Sequence, residues 1–214
     1  MHDPNDNILL VSFIGDALAL GPHWVYDQEE IRAKLGRVTS YHAPIAKYHP
    51  GKSAGDFSHY GDQTLVLLQS VVEAGGFDPG RFAVRWRGFW EDPANASYRD
   101  GATRQTLDRL QAGFSPERAG SNSHDIGGAA RIGPLFLLKW EDDDALIAAA
   151  RLETAFTHPA DEVVASAEFF GRIVLAVRDG ASIPAALEST LAAKPWSALP
   201  KSRLAAARER QFSR

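Results

Sequence analysis

Four short stretches of this sequence set carboxylates, hydroxyls, imidazoles and glycines where they could do chemistry. In Gly15-Asp16-Ala17-Leu18 an aspartate interrupts an otherwise apolar run. A carboxylate buried there needs a cation, a metal or several donors, because leaving it unpaired is costly. The same residue also reads as an ordinary carboxylate bridging two neighbouring helices. In Gly61-Asp62-Gln63-Thr64 an aspartate stands at a helix start after a long loop. Asp62 either caps its own helix or, with Thr64, offers oxygens to a hard cation such as magnesium, which takes octahedral oxygen ligation and keeps waters. A third stretch, Tyr98-Arg99-Asp100-Gly101-Ala102-Thr103-Arg104, is a turn entering a helix. The fourth combines Ser121–Arg131 with Thr157-His158-Pro159. Gly127 and Gly128 would let a backbone approach a ligand closely, and a helix N-terminus beyond them favours phosphate. Taken singly, a glycine turn is more often only a turn.

Helices must position these groups. Asp3-Pro4 and Asp78-Pro79 each pair a capping side chain with a proline at the first helical position. Ile8, Leu9, Val11, Phe13, Ile14, Ala17 and Leu18 form a wide apolar face that predicts a central, well-buried helix. Asp27 with Glu30 opens a short helix that Gly36 stops after Leu35. Residues 37–60 carry Pro44, Pro50, Gly51 and Gly55 and read as a long, functional loop. Further helices are predicted from about Asp62 to Ala74, from Pro79 through Phe82, Trp86, Phe89 and Trp90, and over Thr103–Ala112, Ala129–Trp140, Asp142–Phe156, Ala160–Arg178 and Pro184–Ala193, with a last segment from Ser202. The aromatic set Phe82, Trp86, Phe89 and Trp90 belongs in the core or at an interface rather than against a cofactor. No alternation of apolar and polar residues is long enough for a strand. The expectation is an all-α orthogonal multi-helix bundle, residues 1–214 forming a single domain.

Composition narrows the function. The 214 residues contain no cysteine, which excludes a disulfide scaffold, a thiolate zinc site and a cysteine nucleophile. The net charge is −4 with scattered basic residues, so no nucleic-acid partner is expected. The N-terminus lacks the pattern of a secretory signal, and no apolar run approaches the roughly 20 residues that cross a bilayer. A soluble, cytoplasmic protein with no membrane partner is the expectation.

The order of the four stretches is more specific than any one of them. Gly-Asp-Ala-Leu in the first helix, an acidic helix start near residue 62, Asp-Gly-x-Thr-Arg, a glycine turn ending in Arg131-Ile-Gly-Pro-Leu and then Thr-His-Pro together resemble the ADP-ribosylglycohydrolase family, from about Ile8 to Val177. The resemblance implies an all-α bundle whose central cleft holds two magnesium ions and releases ADP-ribose from modified side chains or related conjugates. It puts Asp62 on a metal-binding aspartate of the family's Thr-Asp-Asp-Thr motif and makes Asp16 a supporting catalytic carboxylate. It puts Gly127, Gly128 and Arg131 on the ribose- and phosphate-contacting turn, His158 on the phosphates, and His23 and Gln63 at the substrate.

The chain departs from the family pattern at several of these positions. Gly61 and Gln63 replace an oxygen-bearing and an anionic residue, and His23 stands where the family has a glutamate. The family's late Asp-x-Asp-Thr motif is not found before Arg214. Two divalent ions about 3.5–4 Å apart need several carboxylates, and only Asp62 maps to one, so a full dinuclear centre is not expected. Two functions follow: a glycosidic hydrolase acting on an ADP-ribosyl substrate, with His23 available as a base near neutral pH, or an inactive relative that binds a ligand or serves a structural, crystallin-like role. A third reading makes His23, His59, Asp62 and Gln63 an altered site for a different substrate.

Overall fold

Six of the α-helices start where a side chain accepts from their free N–H groups. The computed structural model describes residues 4–95 and 97–199. Among them are eight α-helices: α1 Pro4–Leu20, α2 Gln28–Leu35, α3 His59–Ala74, α4 Pro79–Glu91, α5 Gly101–Gln111, α6 Asp143–Thr157, α7 Asp161–Arg178 and α8 Ile183–Ala193. Short 3-10 helices cover Pro116–Arg118, Ala129–Arg131 and Gly133–Leu137, and no strand occurs among the described residues. The expected segment from Ser202 lies outside them. None of these helices is long and apolar enough to cross a membrane.

Asp27, Asp78, Asp100, Asp142 and Ser182 accept from N–H groups in the first turns of α2, α4, α5, α6 and α8. In α3 the cap is Ser58, whose hydroxyl accepts from Tyr60 N at 3.2 Å. The helix therefore begins three residues before the expected Asp62, and that aspartate lies inside the first turn with its carboxylate free to act elsewhere. Residues 129–137 form two 3-10 turns instead of the start of an expected α-helix, because Pro134 cannot donate into a longer ladder.

The core is the contact of α3, α4 and α6 with residues 132–136. Val66, Leu67, Val71, Phe82, Trp86, Trp90, Ile132, Leu135, Phe136 and Ile147 are buried together. Trp86 and Trp90 are 0 % exposed, as expected of that aromatic set. Helix α1 corrects its expectation. Only Ala17 and Leu20 are buried in it, whereas Leu10, Val11 and Ile14 are 53, 66 and 45 % exposed. It packs on α3 and on residues 133–137 by one side.

Candidate functional site

The N-terminus of α3 is the centre of the polar constellation, and the loop before it, α1, the 120–128 turn and the α6–α7 junction converge there. Asp16 reaches from α1 to Ser58, accepting from its backbone N at 2.7 Å and from its Oγ at 2.6 Å. Burial raises the Asp16 carboxyl above its ordinary value, against the Ser58 bonds that pull it down; Asp62 adds to the rise. This is the helix-bridging carboxylate, one of the two roles open to it from the sequence.

Gly61 is required by that bridge. A Cβ at Gly61 would fall 2.7 Å from Asp16 Cγ and 2.8 Å from Phe57 Cβ, distances that real side chains do not tolerate. Asp16 fills the space that a side chain at position 61 would need.

Asp62 is held by a partner that the sequence did not announce. Lys52 Nζ donates to both of its carboxylate oxygens, at 2.9 and 2.7 Å, and the two side chains are 17 and 14 % exposed. Gln63 turns the other way. Its amide donates to His59 O at 3.1 Å, and its Oε1 accepts from Trp86 Nε1 at 2.7 Å and Arg131 Nη1 at 3.0 Å. Arg131 is buried too, bound to Glu153 Oε1, to Glu153 O at 3.3 Å and to Thr157 Oγ1 at 2.6 Å. The structure thus buries Gln63 and Arg131 in the interior, bound to Trp86 and Glu153.

On the far side, the glycine turn docks on Thr157-His158-Pro159, the pairing the sequence suggested. Ser121 donates to Thr157 O through its N at 2.8 Å and its Oγ at 2.7 Å. Any side chain at Gly127 would strike Tyr60 Cε1 at 2.7 Å, and one at Gly128 would crowd His158 Nδ1 at 3.0 Å. His158 Nε2 stands 3.0 Å from Asp125 Oδ1. His158 holds the Asp125 carboxyl well below the usual carboxylate range, helped by Ser123 and Gly127 N and opposed by burial. Asp125 lies inside the Ser121–Arg131 stretch, and only the fold shows that it meets His158.

Between these sides lies a stack of rings. His23 lies over Trp24, His49 and His59, with centroids 4.5, 4.8 and 5.6 Å away. His23 Nδ1 and His49 Nε2 are 2.8 Å apart. Trp24 has φ +61°, a left-handed conformation that costs a non-glycine residue about 1–2 kcal/mol, and edge contacts to Tyr48 and Tyr98 at 5.2 and 5.0 Å hold it. His59 Nε2 is 3.3 Å from Asp100 Oδ2. Although burial pushes the Asp100 carboxyl up, His59 and Thr103 bring it below its ordinary value.

The base expected of His23 is corrected by this stack. Burial, then the neighbouring His49 and His59, lower its pKa from 6.5 to about 4; burial, His59 and Lys52 do the same to His49. Both rings are neutral at pH 7 and poorly matched to base catalysis there. The sign for stability follows. The unfolded histidines take up protons from pH 6.5 downward and the folded ones do not, so their contribution is present above 6.5 and lost as pH falls towards about 4. Thermal midpoints recorded from pH 7 to pH 4 should fall, and should fall less in His23→Gln. Equal slopes in the two proteins would contradict the assignment.

Magnesium can be tested against these contacts. Both oxygens of Asp62 are engaged by Lys52, Gly61 has no side chain, and Gln63 Oε1 is spent on Trp86 and Arg131. Among the described residues no group of three or more His, Asp or Glu side chains is placed to hold a metal ion. These residues do not fit the two magnesium ions that the resemblance implies.

An all-helical bundle with its polar motifs gathered at one helix N-terminus defines the class. The family profile for ADP-ribosylglycohydrolase matches residues 7–213, and the chain belongs to that family. An uncharacterized protein of Archaeoglobus fulgidus is 26 % identical over 167 residues, which are 78 % of this chain and 53 % of that protein. A solved chain from an ADP-ribosylglycohydrolase-related protein complex superposes with a TM-score of 0.74 at 22 % identity, over 94 % of this chain and 65 % of that one. The chain therefore spans about half of the curated relative and about two thirds of the solved one. The structural likeness establishes the all-α fold.

Proposed function

We propose that the cleft at the head of α3 binds an ADP-ribosyl or related nucleotide-ribosyl conjugate, in the manner of an ADP-ribosylglycohydrolase. The observation that carries this reading is the docking of Gly127 and Gly128 against Tyr60 and His158, opposite Asp62 and Lys52. The two glycines let the turn close on Tyr60 and the buried His158, a half-buried Tyr60 supplies a face for a ring, and Lys52 supplies a donor for oxygens. Substrate roles for Gly127, Gly128, His23 and His158 belong to this proposal. Asp16 and Asp62 are its candidate catalytic carboxylates, Asp16 acting through Ser58 and the start of α3.

A second reading, an inactive relative that binds its ligand without turnover, is favoured by one contact: Lys52 already neutralises Asp62. Calorimetry with ADP-ribose tests the shared claim. Binding is expected, and His158→Ala, which removes the ring on which the glycine turn and Asp125 rest, should weaken it about 10-fold. No heat and no competition with an ADP-ribose analogue at millimolar concentration would sink both readings. Release of ADP-ribose from an arginine- or serine-linked substrate, abolished in Asp62→Asn, separates hydrolase from binder.

A further inference from the structure

We infer that the Lys52 ammonium is the resident cation of this cleft, standing on Asp62 where a metal ion would otherwise stand. The inference depends on the proposed ADP-ribosyl cleft only for which face the ammonium serves. The contact itself is independent of any nucleotide.

Four observations support it. The ammonium spans both carboxylate oxygens, at 2.9 and 2.7 Å, and so takes the chelating side of Asp62 that a bidentately bound metal would use. The loop is built to deliver it. Gly51 and Gly55 adopt φ of +78° and +91°, Lys52 N donates to His49 O at 3.3 Å, and Asp56 Oδ2 accepts from Ser53 N at 2.7 Å. These turns fix the backbone on both sides of Lys52, so its long side chain loses less freedom on pairing. The acceptor is equally fixed, because Asp62 N donates to the Ser58 carbonyl at 2.9 Å in a helix whose cap is bound to Asp16. Finally, the groups that could have completed an octahedral shell are spent: Asp16 on Ser58, Gln63 on Trp86 and Arg131.

The chemistry differs from that of a divalent ion. An ammonium carries one charge and three N–H donors. With two directed at Asp62, the third can donate to a ligand oxygen, a hydroxyl or an anionic one. It orients and neutralises, but it does not lower the pKa of a bound water as a metal does. The cleft is accordingly suited to holding a ribosyl or phosphate oxygen without a metal cofactor.

Manganese, which is visible by electron paramagnetic resonance and takes oxygen ligands like magnesium, is the probe. It would be titrated into the wild-type chain, Lys52→Met and Asp62→Asn, each first checked for helical circular dichroism. Wild type and Asp62→Asn should give superimposable isotherms, showing that Asp62 takes no metal, while Lys52→Met should gain affinity by about 10-fold or more. Manganese bound by the wild type and lost in Asp62→Asn would overturn the inference, as would a Lys52→Met isotherm matching the wild type. Should Lys52→Met fail to fold, the comparison of wild type with Asp62→Asn still decides it. None of these readouts involves ADP-ribose, so failure here leaves the nucleotide result standing, and the reverse.

Discussion

Arg131→Met should lower the stability of the chain by about 3–5 kcal/mol, the cost of leaving a fully buried charge without its partner. Arg131 is 1 % exposed and Glu153 0 %, and the guanidinium also ties Gln63 of α3 to Thr157 of α6. In a domain of this size the loss corresponds to a drop of roughly 6–20 °C in thermal midpoint. Its pH dependence identifies the cause. Burial pushes the Glu153 carboxyl above the ordinary glutamate range, with Arg131 pulling against it. Without Arg131 only the upward push remains. A group whose folded pKa is raised contributes stability that is present at low pH and lost as pH rises through the folded value. The penalty of Arg131→Met should therefore shrink as pH is lowered and Glu153 takes a proton in the folded state. Replacing both residues, Arg131→Met with Glu153→Leu, should recover most of the loss, since apolar groups of similar volume often replace a buried pair at little cost. A penalty identical at pH 5 and pH 8, or a double variant no better than the single one, would refute this account.

The same residue shows what was legible in the sequence. Arg131, Gln63 and His158 were singled out because their order along the chain resembles a family motif, and that order does not say which way a side chain points. His158 faces the turn and Asp125, whereas Arg131 and Gln63 face Trp86 and Glu153. Facing is decided by the helix start: with Ser58 rather than Asp62 as the cap, Gln63 falls on the core side of α3 and Asp62 on the side that meets Lys52. Local punctuation located the helices well where a cap and a proline or glycine bracket them, as at Asp27 to Gly36 and at Asp78-Pro79. It failed for α1, where apolar composition promised burial that the surrounding elements do not provide. Lys52 carried no signal at all. It sits ten residues before its partner in a stretch without periodicity, and only the fold of the loop brings the two together.

Gly61→Thr, the change that restores the family's oxygen at this position, should destabilise the chain by about 3 kcal/mol, even though glycine is a poor helix residue. Replacing a helical glycine returns about 0.5–1 kcal/mol of conformational entropy. Against that, the new Cβ lands 2.7 Å from Asp16 Cγ and 2.8 Å from Phe57 Cβ, and overpacking of this kind costs about 1–3 kcal/mol. Asp16 cannot yield without giving up Ser58 N and Oγ, hydrogen bonds to a charged group that are worth about 1.5–3 kcal/mol each. Phe57 cannot yield without leaving Phe13, its ring neighbour at 4.9 Å. The unfavourable contributions win. A double-mutant cycle with Asp16→Ala, read by urea denaturation, isolates the clash: truncating Asp16 removes its carboxyl group from the path of the new side chain, so Gly61→Thr should cost at least about 1 kcal/mol less in that background. Additive losses would mean that Asp16 and Gly61 do not compete for the same volume. If they do compete, one substitution at residue 61 cannot rebuild an oxygen ligand beside Asp62, because the space for that oxygen already holds the carboxylate that ties α1 to the head of α3.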